Sequence, residues 1–260
     1  MQFILIFDLV LIRSPRELKM ADLKYQSQAP AGRRAQEIDE GLRSYMLGVY
    51  NYMALGVAAT AIITLFVASS PALLAVASSL KWVFFIGILG LGWFAPRLVF
   101  SNSAAVAHGA FWTYCALWGM GIAPMVGHYM GVSPGMVVQA FGIAAATFGA
   151  TSLFGYVTKR NLSGLGTFFM IATIGIIIAM VVNAVFIGSI GFSLVVSVIT
   201  VLLFAGITAY ETQMIKEMYV EGDGTVAARG KSIFGAFMLY GSFITMFIHI
   251  LNILGIMNSD

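Results

Sequence analysis

Apolar residues run through this chain in long stretches, interrupted by short breaks that hold its Gly, Ser and Pro clusters. A run of about 20 mainly apolar residues crosses a hydrocarbon core of about 30 Å as an α-helix. Seven stretches qualify: Tyr45–Val67, Leu80–Arg97, Ala104–Val126, Gly135–Val157, Gly166–Phe186, Ile190–Gln213 and Ser232–Ile256. The second is the shortest. Ser69-Ser70-Pro71 and Gly131-Val132-Ser133-Pro134 mark two of the breaks, and Gly188-Ser189 predicts a tight turn between the fifth and sixth stretches. The expected fold class is therefore all-α, with seven transmembrane helices.

The cations give this pattern a direction, because Lys and Arg beside a span are retained in the cytoplasm. With the N-terminus inside, the cytoplasmic segments hold Arg13, Arg16, Lys19, Lys24, Arg33, Arg34 and Arg43, then Arg97, then Lys159 and Arg160, then Lys216, Arg229 and Lys231. Only Lys81 falls outside. An even number of spans, made by removing or adding one in the middle, would move Lys159 and Arg160 or the last three cations outward. The charge pattern thus supports seven spans independently of hydropathy, with the N-terminus cytoplasmic and the C-terminus on the opposite face.

Residues 1–44 read as a cytoplasmic tail and 45–260 as the membrane domain. Gln2 to Ile12 is too short to span and contains Asp8; it also lacks the basic n-region and small-residue cleavage site of a signal peptide. Met20-Ala21-Asp22-Leu23-Lys24 is the more natural start, so residues 1–19 are expected to be an over-extended reading frame, with a short interfacial helix as the alternative. The longest connection after the tail, Met214–Lys231, is too small for a core of its own.

Composition agrees. The 260 residues are 60% hydrophobic and 10% charged, whereas a soluble domain carries roughly a quarter charged residues. The net charge of +3 does not indicate a nucleic-acid partner, because 7 of the 14 Lys and Arg precede Tyr45 and the rest sit in short connections. The partner implied is the lipid bilayer. The 28 glycines suit helices that associate through small residues in lipid, and Gly87, Gly142, Gly149 and Gly155 are expected on packing surfaces. The lone Cys115, beside Tyr114 and Ala116, has no activating base nearby and reads as packing.

No enzyme signature is present: there is no Gly-rich phosphate loop, no His-Glu-x-x-His, no Gly-x-Ser-x-Gly and no cysteine cluster. His108, His128 and His249 lack ligand spacing, so neither catalysis nor a metal or other cofactor is expected. Glu211 stands out as the carboxylate inside the apolar spans. It lies near the C-terminus of its helix, where the macrodipole disfavours an anion, so helix stability does not explain it. One reading is an interfacial side chain paired with Lys216 or Arg97; the other is an ion or proton site facing the bundle interior. Desolvation and a nearby cation act on its ionisation in opposite directions. A pH-dependent state governed by Glu211 through a cationic partner is the expectation. In the seventh span Ser242, Thr245, His249 and Asn252 follow at spacings of three, four and three, forming one polar stripe. Interhelical hydrogen bonding and a solvated pathway both account for such a stripe.

Several of these residues carry a family resemblance covering nearly all of Arg43–Asp260. The carriers are Gln139-Ala-Phe-Gly142, Thr158-Lys-Arg-Asn-Leu-Ser163, Val182-Asn183, Tyr210-Glu-Thr-Gln213 with Ile215-Lys216, and Leu239-Tyr240 through Ile253-Leu-Gly255. The chain resembles a bacterial member of the Bax inhibitor-1 family. That resemblance implies an inner-membrane protein with six helices wrapped around the seventh, and a calcium leak gated by protonation of an aspartate pair. Here the first aspartate position holds Glu211 and the second holds Ser242, so a shared-proton carboxylate latch cannot form. Both substitutions resemble the YccA-like branch, which is associated with the membrane AAA protease FtsH. The readings carried forward are a pH-sensitive cation leak along the sixth and seventh helices and a modulator of an FtsH-type protease. A small-solute transporter is weaker, because no internal repeat is visible.

Overall fold

The computed structural model describes residues 31–258 apart from 102, with side-chain surroundings from Glu40 onward apart from those of Thr225. The start-site expectation for residues 1–19 lies outside the described residues, as does Asp260. The chain divides into two compact units, 1–44 and 45–260.

Every regular element among the described residues is helical. These are α1 (Ala31–Ala68), α2 (Pro71–Ser79), α3 (Lys81–Val99), α4 (Ala104–Val132), α5 (Pro134–Val157), α6 (Gly166–Val182), α7 (Ile190–Glu217) and α8 (Thr225–Met257). The breaks carry the chemistry that ends and starts helices. Ser103 and Ser189 accept hydrogen bonds from Val106 N at 3.4 Å and Phe192 N at 3.2 Å, and Pro71 and Pro134 sit in first turns, where no N–H partner is lost. The Ser69-Ser70-Pro71 break opens a short extra helix, α2, and the first helix begins at Ala31, well before the expected span.

The turn between α6 and α7 is built around Asn183. The helix widens over Asn183–Ile187, Gly188 N donates to Asn183 O at 2.7 Å, and Gly188 takes a φ of 65° that glycine tolerates best. The Asn183 side chain then holds Ser189 at both backbone groups, accepting from its N at 3.1 Å and donating to its O at 3.2 Å.

Six helices among the described residues are long and apolar enough to cross a membrane. Of the two helices outside that group α2 has only nine residues, whereas α4 is 29 residues long; Tyr114, Trp118, His128 and Tyr129 dilute its hydropathy. Three close contacts gather the cationic helix ends. Lys216 Nζ donates to Tyr156 O at 2.9 Å, the Phe100 and Phe234 rings lie 5.1 Å apart, and those of Tyr45 and Tyr219 lie 5.7 Å apart. Tyr129, late in α4, lies against Gly255, late in α8, so these two helix ends meet away from the cations.

The last helix is the most enclosed. Its apolar window is 72% buried, against 28% or less for the other five, and it packs on α3, α4, α5 and α7. None of its residues from Ser232 to Ile256 is exposed, and Ile233, Phe237, Tyr240, Phe243, Met246 and Leu251 are buried, as expected of a helix surrounded by protein. Hydroxyl groups tie α1 to the same centre: Thr60 Oγ1 donates to Cys115 O at 3.1 Å and lies 2.6 Å from Tyr240 Oη. Cys115 is fully buried there.

The expected glycine surfaces divide. Gly155 lies against the Ala209 backbone of α7, and Gly87 lies under Leu117. Gly142 and Gly149 are exposed and would admit a Cβ without contact, which corrects the expectation that they pack. The face that α5 buries runs through Ala140, Ala144, Phe148, Ser152 and Gly155, at spacings of four and three, and Gly142 and Gly149 fall off that line.

Candidate ion site at the α7–α8 seam

The α7–α8 pair packs along its length, and most of the polar residues singled out by the sequence meet there. Ser242 Oγ donates to Glu211 Oε2 at 2.7 Å. Ser242 is buried and Glu211 half-buried. A hydroxyl to a carboxylate at this length is among the stronger side-chain hydrogen bonds.

The expected cationic partner is absent. Among the described residues the ion pair is Lys231–Asp223 at 2.6 Å, and neither Lys216 nor Arg97 pairs with Glu211. Lys216 caps α5 instead, through the Tyr156 carbonyl, and stands 5.0 Å from the Tyr156 ring centre. Helix geometry explains this: residues three and four apart share a face, whereas Lys216 lies five beyond Glu211 and points elsewhere. Arg97 is exposed near the end of α3.

The polar stripe on α8 is satisfied from end to end. Thr245 Oγ1 donates to Gly241 O of its own helix at 2.8 Å. His249 Nδ1 lies 3.0 Å from Ser197 Oγ, while Asn252 Nδ2 donates to Ser193 Oγ at 3.1 Å and to Ser197 Oγ at 2.9 Å. These residues border a cavity of about 250 Å³, which Asn183, Met125 and Met180 also line. Between the cavity and Glu211, Thr200 and Thr208 bond back to carbonyls of α7.

Sequence reasoning missed Ser193 and Ser197, although two serines four apart in an apolar helix mark a shared polar face. It also left Gln213 without a role. That side chain donates to Arg160 O at 2.9 Å and accepts from Leu162 N at 2.7 Å, pinning the α5–α6 connection to α7. Beside it, Ser152 Oγ lies 2.6 Å from Tyr50 Oη and 3.0 Å from Thr212 Oγ1, joining α1, α5 and α7. No signal in the sequence pairs residues so far apart.

Helices of this length and composition, with a carboxylate and a hydroxyl facing each other across an internal seam, define a multi-pass, all-helical membrane protein. The profile of the family described as "Inhibitor of apoptosis-promoting Bax1" matches residues 42–259, and the chain belongs to this Bax inhibitor-1 family. It is 36% identical over 221 residues to the Escherichia coli "Inner membrane protein YbhL", covering 83% of this chain and 92% of that one. A protein of Deinococcus radiodurans is 39% identical over 222 residues, covering 84% and 93%. Rickettsia prowazekii protein RP147 is 35% identical over 219 residues, covering 84% and 91%.

Proposed function

We propose that this protein is a pH-sensitive cation leak of the inner membrane, gated where Glu211 meets Ser242. The observation that carries the reading is that contact itself: the carboxylate inside the spans is held by a neutral hydroxyl of the most enclosed helix, with no Lys or Arg side chain paired to it among the described residues. An intramembrane carboxylate without a fixed counter-charge is open to a proton or a passing cation. Ionised, Glu211 accepts a charge-assisted bond and attracts a cation into the seam. Protonated, it offers neither. Flux therefore rises as Glu211 ionises, so it falls as pH is lowered through its titration.

The bundle has seven spans, α4 included, with six helices around α8. Support comes from the meeting of the cationic ends of α3, α5, α7 and α8 in the contacts given above, and from the placement of the far ends of α4 and α8 against each other. Residence in the inner membrane is supported by the likeness to YbhL. Cations retained on the cytoplasmic side put the N-terminus inside and Asp260 outside. A C-terminal fusion to a periplasm-dependent reporter is expected to be active; activity confined to a cytoplasm-dependent reporter sinks this topology.

The purified chain in liposomes, assayed with calcium, potassium and proton reporters across pH, tests the function. Flux that grows with pH is the expected result. No flux of any cation at any pH overturns the leak in favour of a binding role at an FtsH-type protease.

A further inference from the structure

Resting on the leak reading, we infer that the α7–α8 pathway passes monovalent cations in preference to divalent ones. The argument is one of charge. Between Glu40 and Glu217 the sequence holds a single carboxylate, Glu211. Everything else that the structure aligns along the seam is neutral or weakly basic: the hydroxyls of Ser242, Thr245, Ser197 and Ser193, the Asn252 amide and the His249 imidazole. The residues lining the cavity include no Asp or Glu. Among the described residues no three His, Cys, Asp or Glu side chains gather in a way that would hold a metal ion.

A cation leaving water gives up hydration energy that grows with the square of its charge, and the pathway must replace it. One ionised Glu211 neutralises a monovalent cation completely, and hydroxyl and amide oxygens can supply the remaining coordination. A divalent cation at the same place keeps a net positive charge in a low-dielectric seam, where an uncompensated charge is heavily penalised. Calcium takes six to eight oxygen ligands, carboxylates prominent among them.

The second polar region gives it no further help. Ser197 precedes Glu211 by 14 residues, about 21 Å along a helix rising 1.5 Å per residue. Over that distance no second carboxylate stands on α7 or α8 to take the ion. The cavity, lined by Asn183, Ser193, His249 and Asn252, fits a wetted vestibule for a singly charged ion.

The test compares potassium and calcium fluxes through the full chain in liposomes under equal driving force, at a pH where the leak is open. Potassium flux is expected to exceed calcium flux by about tenfold or more, since the net positive charge that a divalent cation keeps beside a single carboxylate carries an effective desolvation penalty larger than that factor. Asn252→Asp in the cavity and Ser242→Asp beside Glu211 are each expected to raise the calcium-to-potassium ratio severalfold. Calcium flux equal to or above potassium flux in the wild type overturns the selectivity and leaves the leak standing. So does an unchanged ratio in whichever carboxylate variant folds and conducts. Absence of flux for every cation in the wild type overturns the leak, and the selectivity with it.

Discussion

Glu211→Gln is expected to flatten the pH profile of cation flux, and Ser242→Asp to give that profile a second, coupled step. Glutamine keeps the shape of the side chain and a carbonyl oxygen for Ser242 Oγ, which donates to Glu211 at 2.7 Å, so the seam keeps its packing while the titrating group is removed. The ratio of flux between high and low pH should fall to about one in Glu211→Gln, because a neutral amide does not titrate in this range. Ser242→Asp places a second carboxylate at hydrogen-bonding distance from the first, and two groups that close release their protons as a pair, in two macroscopic steps. The measurement is liposome flux against pH in wild type and both variants, with circular dichroism to confirm helix content. A profile identical in all three reduces Glu211 to a structural residue and removes the basis of the gate.

Gly155→Ala is expected to destabilise the bundle by about 1 to 3 kcal/mol, the range for overpacking a well-filled contact, whereas Gly149→Ala is neutral or slightly stabilising. A Cβ on Gly155 meets the Ala209 backbone of α7, which cannot rotate out of the way. A Cβ on Gly149 meets nothing, and there alanine gains about 1 kcal/mol of helix propensity over glycine. The Gly155 change also reaches the site, because Ala209 is two residues before Glu211 and a displaced α7 carries the carboxylate away from Ser242. Unfolding in mixed detergent micelles, with flux measured on the same variants, gives the comparison. Equal stability of the two variants would show that α5 and α7 do not approach at Gly155.

How far the site could be read without coordinates differs from residue to residue. Glu211 and the Ser242–Asn252 stripe were legible because a charged or polar side chain inside an apolar run is costly and therefore conspicuous. The partners were not. Ser197 and His249 are 52 positions apart, Tyr50 and Ser152 are 102 apart, and helices of nearly uniform hydropathy carry no mark of which neighbour each will meet. Lys216 was expected as a partner and is not one, because its spacing of five from Glu211 puts it on a different face of α7.

The sequence by itself determined where the long helices lie, that the chain lives in a membrane, which helix ends carry the cations, and the family to which it belongs. These follow from quantities local to a segment: the length of an apolar run, the Lys and Arg beside it, and short motifs at fixed spacing. Tertiary structure alone decided that Gly155 packs while Gly142 and Gly149 face outward, that Glu211 bonds a hydroxyl and not a cation, and that Ser193 and Ser197 complete the stripe on the last helix. In lipid the hydrophobic effect does not choose the buried face, because the surroundings are as apolar as the core. The choice falls to close backbone approach and to hydrogen bonds between helices, which exist only once the helices are side by side.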